Sequence, residues 1–197
     1  NYLVPFMEFE APRTGKCIAV RTWDFGRFPQ RWVKKINREF DQFWAYSEWI
    51  AEQARLSGID PARIRVVPIG FDRETFSREG ELYPLPIQKR FTFGFTGGAV
   101  VRKGVDILLK AYASAFRRDD DVCLVIKDHS DDLIYEKNDY RKEIREFLKD
   151  PENPALVYID EFLPDKALAS LFRTFDAGVF PYRAEGFCKP ILETMAC

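Results

Sequence analysis

The chain has 197 residues, with 30 Lys+Arg against 31 Asp+Glu and a formal net charge of −1. This balance excludes the cation surplus that nucleic acid or an anionic membrane selects, so nucleic acid is not an expected partner and only local basic patches remain. Hydrophobic residues at 46%, with 18 Phe, against 31% charged residues describe a globular chain able to bury a core.

No apolar run reaches the roughly 18–20 residues that span a bilayer, so no transmembrane segment is expected, while peripheral membrane contact stays open. The cysteines, Cys17, Cys123, Cys188 and Cys197, stand far apart without CxxC spacing. They read as reduced thiols in a cytoplasmic protein, not as a disulfide framework or a zinc site. The sequence begins at Asn1 and stops at Cys197 inside an apolar helical run, which reads as a fragment of something longer.

In chain order, Cys17 to Val20 suits a short buried strand, and an aromatic loop follows with Trp23, Phe25, Phe28 and Trp32. Those rings either pack a core or offer faces on which a ligand can stack. Trp32, Val33, Ile36 and Phe40 carry helical spacing, and Phe43 to Tyr46 reads as a strand. Ser47 caps a helix that stops at Gly58, and Ile64 to Pro68 forms the next strand. Proline and charge without periodicity between Arg73 and Arg90 read as a linker.

A second series starts at the Phe91–Thr96 strand, followed by Gly97-Gly98 and a helix face of Val105, Leu108, Leu109, Tyr112 and Phe116. Strands at Val122–Ile126, Leu156–Ile159 and Gly178–Phe180 alternate with helices around Tyr140–Leu148 and Leu168–Phe172, and Pro190 starts the last helix. Strand–helix alternation builds parallel doubly wound sheets, so the expected class is α/β with two Rossmann-like domains.

Ligands of such sheets bind at the carboxyl ends of strands. Two loops there stand out. In Gly97-Gly98-Ala99-Val100-Val101-Arg102-Lys103-Gly104, adjacent glycines allow close backbone approach before a helix N-terminus, and Arg102 and Lys103 add cations. Cations oppose a helix dipole at that end, so an anionic guest such as a diphosphate explains them better than a plain turn. The second loop, Pro181 to Pro190, holds Glu185 beside Gly186, and Glu193 is expected in the first turn of the following helix, where an acid can also simply complement the dipole. His129, in Lys127-Asp128-His129-Ser130-Asp131-Asp132, fits no metal-ligand spacing and reads as part of a solvated loop.

Glu185 and Glu193, with seven residues between them in Glu-Gly-Phe-Cys-Lys-Pro-Ile-Leu-Glu, resemble the E-x7-E signature of GT-B fold retaining glycosyltransferases, specifically family 4. Gly97-Gly98 with Arg102-Lys103-Gly104-Val105-Asp106 resembles that family's phosphate loop. Ser47, Gly58-Ile59 and Val67 to Asp72 resemble the end of its N-terminal domain. The resemblance implies that residues 1–72 are the tail of an acceptor-side domain, 73–90 an interdomain linker, and 91–197 a truncated donor-side domain. It implies transfer of a sugar from a nucleotide-sugar to a glycan, lipid-linked or protein-linked acceptor, with retention, no metal and no cofactor beyond the donor. By the same resemblance Lys103, with Arg102, neutralises the leaving diphosphate; Gly97, Gly98 and Gly104 shape the loop; Glu185 holds donor-sugar hydroxyls; Gly186 and Phe187 offer backbone N–H groups; and Glu193 holds the ribose.

Three positions depart from the family pattern. Gly98 stands where an arginine is frequent, leaving Arg102 as the nearest substitute, and Cys188-Lys189 replace a glycine and an apolar residue. The alternative reading from these departures is a non-catalytic nucleotide-sugar or glycan-binding module.

Overall fold

The computed structural model describes residues 14–128 and 140–197, so His129 and its loop lie outside the described residues. The chain divides into two compact units. One comprises the described residues up to Gly70 together with Ala184–Cys188; the other comprises Phe71–Arg183 and Lys189–Cys197.

The first unit is a three-stranded parallel sheet in the order β1-β2-β3, with β1 at Ile18–Val20, β2 at Gln42–Ala45 and β3 at Ile64–Val66. Helix α1 (Gln30–Glu39) buries Trp32, Val33 and Ile36, the i, i+1, i+4 face that its sequence spacing predicts. Helix α2 (Glu48–Ser57) begins where Ser47 Oγ accepts the Ile50 N–H at 3.3 Å and ends at Gly58, whose φ of +99° closes the helix in the left-handed conformation. Trp23, Phe28 and Trp32 are core residues here: Trp23 stacks on Phe28 at 4.9 Å and meets Trp32 edge-on at 5.2 Å. Of that aromatic group only Phe25 is largely exposed. Core packing therefore accounts for three of the four rings.

The second unit is a four-stranded parallel sheet in the order β6-β5-β4-β7. Its elements are β4 (Phe91–Thr96), α3 (Val105–Ala115), β5 (Val122–Lys127), α4 (Arg141–Lys149), β6 (Ala155–Ile159), α5 (Asp165–Arg173), β7 (Ala177–Gly178) and α6 (Lys189–Ala196). Strand β5 shows why the class was readable. Cys123 and Val125 pack into one apolar layer with Leu171 and Phe172, while Leu124 and Ile126 pack into the other with Leu108 and Ile144. A strand covered on both faces is apolar along nearly its whole length, and in β5 only Lys127 at its carboxyl end breaks the run.

Residues 73–90, expected as a linker, pack onto this second unit. Phe76 is 2% exposed, and Tyr83, Leu85 and Ile87 lie against the same core. Arg173 fixes the stretch by donating to the carbonyls of Ser77 and Glu81, each at 3.1 Å. Aperiodic apolar residues covering a core leave no trace in a periodicity reading. Among the described residues no helix is long and apolar enough to cross a membrane.

Candidate functional site

The sheet of the second unit has a topological switch point. From β4 the chain winds outward through β5 to β6 and then returns to the opposite side of β4 as β7. The loops leaving β4 and β7 start on either side of this point, at the carboxyl ends of the strands, the place where open α/β sheets bind ligands. These are the two loops that the sequence singles out.

After β4 the chain does not enter a helix directly. Val101–Lys103 form a 3₁₀ turn, and α3 starts only after Gly104. Most amides of this loop already have partners: Gly97 donates to the Lys127 carbonyl at 3.0 Å and Ala99 to Asp128 Oδ1 at 3.0 Å, while Lys103 and Gly104 donate back to Val100 and Val101 at 2.9 and 3.1 Å. Asp128 is buried and also accepts the Tyr158 hydroxyl at 2.7 Å, so one carboxylate ties the glycine loop to β6. The Tyr158 hydroxyl is pushed well above its ordinary range by burial and by that carboxylate.

Gly104 must be glycine. Its φ is +71°, and a Cβ there would lie 2.0 Å from the Pro181 carbonyl oxygen of the loop after β7. The start of α3 is occupied by its own Asp106. The guanidinium of Arg183 holds that carboxyl below its ordinary range, helped by the Asp106 and Ile107 amides. The expectation of an open helix terminus facing the ligand is thus modified: the cations Arg102 and Lys103, not the helix end, carry the positive charge of this loop.

The loop after β7 is bound to this turn. Arg183 N–H donates to the Arg102 carbonyl at 2.9 Å, and its side chain donates to the Val101 carbonyl at 2.6 Å and to both Asp106 oxygens. The Lys103 ammonium lies 3.9 Å from the ring centroid of Tyr182. Neither Tyr182 nor Arg183 was singled out from the sequence. Their partners are 77 to 86 residues away along the chain, and no local spacing signals such a contact.

Glu193 is placed differently from expectation. Helix α6 begins at Lys189, one residue before Pro190, and its first turn contains no acid. Glu193 lies in the next turn, 4% exposed, with Lys189 Nζ 2.7 Å from Oε1. That contact is an ion pair without the alignment of a hydrogen bond, and among the described residues Oε1 has no hydrogen-bond partner. The Lys189 ammonium thus compensates the charge of this buried carboxylate.

Glu185, Gly186 and Phe187 belong to the first unit. There Glu185 Oε1 accepts the Gly186 N–H at 3.2 Å, Ser47 Oγ donates to the Gly186 carbonyl at 2.9 Å, and Phe187 lies 6.5 Å from the Tyr46 ring. The Gly186 amide, expected as a donor to the ligand, is thus engaged by the neighbouring acid. Cys188, which ends this segment, is buried and holds a φ of +62°, a conformation that residues other than glycine adopt rarely. Among the described residues no three His, Cys, Asp or Glu side chains come together as a metal cluster.

The family model of the glycosyl transferases group 1 matches residues 83–197. The chain belongs to this family. No curated protein matches the sequence. Among solved structures, this group 1 chain is similar to Alr3699/HepE of Anabaena in complex with UDP and glucose, with a TM-score of 0.67 and 18% identity over 92% of this chain and 50% of that one. It is also similar to TarM (TM-score 0.61, 16% identity, 93% of this chain and 35% of the other). A third similarity is to the apo lipopolysaccharide outer core galactosyltransferase WaaB (TM-score 0.51, 24% identity, 80% and 41%). At these identities the likeness establishes the fold, α/β of GT-B type with parallel sheets. The chain spans about half the length of the HepE structure.

Proposed function

We propose that this chain provides the donor-binding part of a retaining glycosyltransferase of family 4 type, which transfers a sugar from a nucleoside-diphosphate sugar to a glycan, lipid-linked or protein-linked acceptor. The observation that carries the reading is Arg102 and Lys103 in the 3₁₀ turn at the β4/β7 switch point of the second unit. Support also comes from HepE, whose structures hold UDP with glucose and UDP-glucose.

In this reading charge develops on the leaving diphosphate as the anomeric centre becomes oxocarbenium-like. Lys103, with Arg102, stabilises that charge more in the transition state than in the ground state, because the cations are already fixed there. Glu193 receives ribose hydroxyls, and Glu185 receives hydroxyls of the donor sugar. The cations of the loop supply the positive charge that a metal ion provides in other phosphate sites.

Calorimetric titration of the chain with UDP, GDP and ADP tests this. One of the three binds, and Lys103→Ala weakens it at least about tenfold, the worth of a charge-assisted contact. Binding of none removes the nucleotide reading; equal affinity in Lys103→Ala removes the phosphate-loop role.

A second reading, a binding module without turnover, is favoured by one observation: Cys188 holds a left-handed backbone where the family pattern has glycine. Nucleotide-sugar binding without release of free nucleoside diphosphate, measured with the complete protein and its acceptor, would select it.

A further inference from the structure

Lys103 has a long flexible stem, and fixing its head on a ligand costs rotamer freedom. The second unit contains a device that fixes the head beforehand. The ammonium lies over the Tyr182 ring, 3.9 Å from the centroid, within the range of cation–π attraction. That ring is itself immobilised: its hydroxyl donates to the Thr96 carbonyl at the end of β4. Phe95 and Phe180 meet it edge-on, with centroids 5.9 and 5.7 Å away.

Gly97 belongs to the same arrangement. A Cβ at Gly97 would lie 2.9 Å from the Tyr182 hydroxyl oxygen and 3.5 Å from Lys103 Cδ. The missing side chain therefore leaves the space in which the tyrosine and the lysine stem meet above the end of β4. Gly97 and Lys103 of the loop after β4 and Tyr182 of the loop after β7 thus place one ammonium at the switch point.

We infer that Tyr182 is a positioning residue: its ring seats the Lys103 ammonium at the switch point so that the diphosphate of the donor meets a cation already in place. This inference rests on the donor-binding reading above. Because the seat lowers the ordering cost of Lys103, its loss weakens nucleotide binding through Lys103 and through no other group.

The test is a double-mutant cycle read by calorimetry, using whichever of UDP, GDP and ADP binds the wild-type chain most tightly. Tyr182→Phe keeps the ring but loses the bond that holds it to the Thr96 carbonyl, and it loses less affinity than Tyr182→Leu. Tyr182→Leu removes the ring and binds about fivefold more weakly, the equivalent of about 1 kcal/mol of cation–π attraction. In the Lys103→Ala background Tyr182→Leu has no further effect. Melting temperatures of all variants confirm that folded protein is compared.

Two results overturn the inference alone: wild-type affinity in Tyr182→Leu, or an equal loss in both backgrounds, which would make the tyrosine a merely structural support. A wild-type chain that binds none of the three nucleotides overturns the inference and the donor-binding reading together.

Discussion

Arg183, on the loop after β7, forks onto Asp106 at the start of α3, with Nη1 2.8 Å from Oδ1 and Nη2 2.7 Å from Oδ2. A planar guanidinium meeting a carboxylate through two parallel bonds is the strongest geometry for such a pair. It joins the loop after β7 to the first turn of α3, next to the switch point.

The pair makes stability depend on pH with a definite sign. Asp106 is held below its ordinary value of 3.8, first by Arg183. A carboxyl depressed in the folded state stabilises the fold above its unfolded pKa and loses that contribution as pH falls through the folded pKa. Wild type should therefore exceed Asp106→Asn in urea midpoint at pH 7, and the gap should close at acid pH, below the ordinary carboxylate range. A gap that is constant down to the acid transition would show that the pair carries no net weight.

Gly104→Ala tests the contact between the loops after β4 and β7 sterically. The added methyl would lie 2.0 Å from the Pro181 carbonyl oxygen, at a residue whose φ is +71°. Strain from the left-handed backbone alone costs about 1–2 kcal/mol, and displacing Pro181 adds to it. A loss of at least about 2 kcal/mol in urea unfolding is expected, together with weaker nucleotide binding as Lys103 moves. A neutral substitution would mean that the two loops are not in register as described.

Much of this architecture was legible in the sequence because parallel strands covered on both faces are dominated by apolar residues. Val122–Ile126 announces itself as an apolar run and Phe91–Thr96 by alternation of Phe with Thr and Gly, and Ser47 and Gly58 mark their helix by capping chemistry alone. Strand β7 was read as Gly178–Phe180 but is Ala177–Gly178, because a strand paired only to β4 is set by its register, Phe93 with Ala177 and Gly94 with Gly178, not by its own pattern. The loop cations and both acids stand out in the sequence by type and spacing, although Glu193 falls one turn later in its helix than its spacing predicts. What holds them does not: Tyr182 under Lys103 and Arg183 on Asp106 are contacts of chain topology, and the onset of α6 at Lys189 follows a backbone turn at Cys188 that no cysteine advertises.

The turn at Cys188 can be measured directly. In a helix or strand, alanine is more stable than glycine. At a φ of +62° the order should invert. Cys188→Gly and Cys188→Ala remove the same sulfur, so their difference isolates the backbone. The glycine variant is expected to be more stable by about 0.5–1 kcal/mol in urea unfolding. An alanine variant as stable as the glycine variant would show that the left-handed conformation is not held in solution.

The Lys189–Glu193 pair leads to a prediction about burial. Glu193 is 4% exposed, and Lys189 lies 2.7 Å from it along one turn of α6. The lysine head is about half exposed, so this pair is weaker than a fully buried one, yet the acid it neutralises is inside the unit. Lys189→Met leaves an interior carboxylate without its ammonium and should cost about 1–3 kcal/mol at pH 7. Glu193→Gln leaves only an exposed lysine and should cost less. Adding Glu193→Gln to Lys189→Met should recover part of the loss, because the neutral amide no longer demands a cation. Equal and additive losses in chemical denaturation of the three variants would mean that the carboxylate draws its stabilisation from groups other than Lys189.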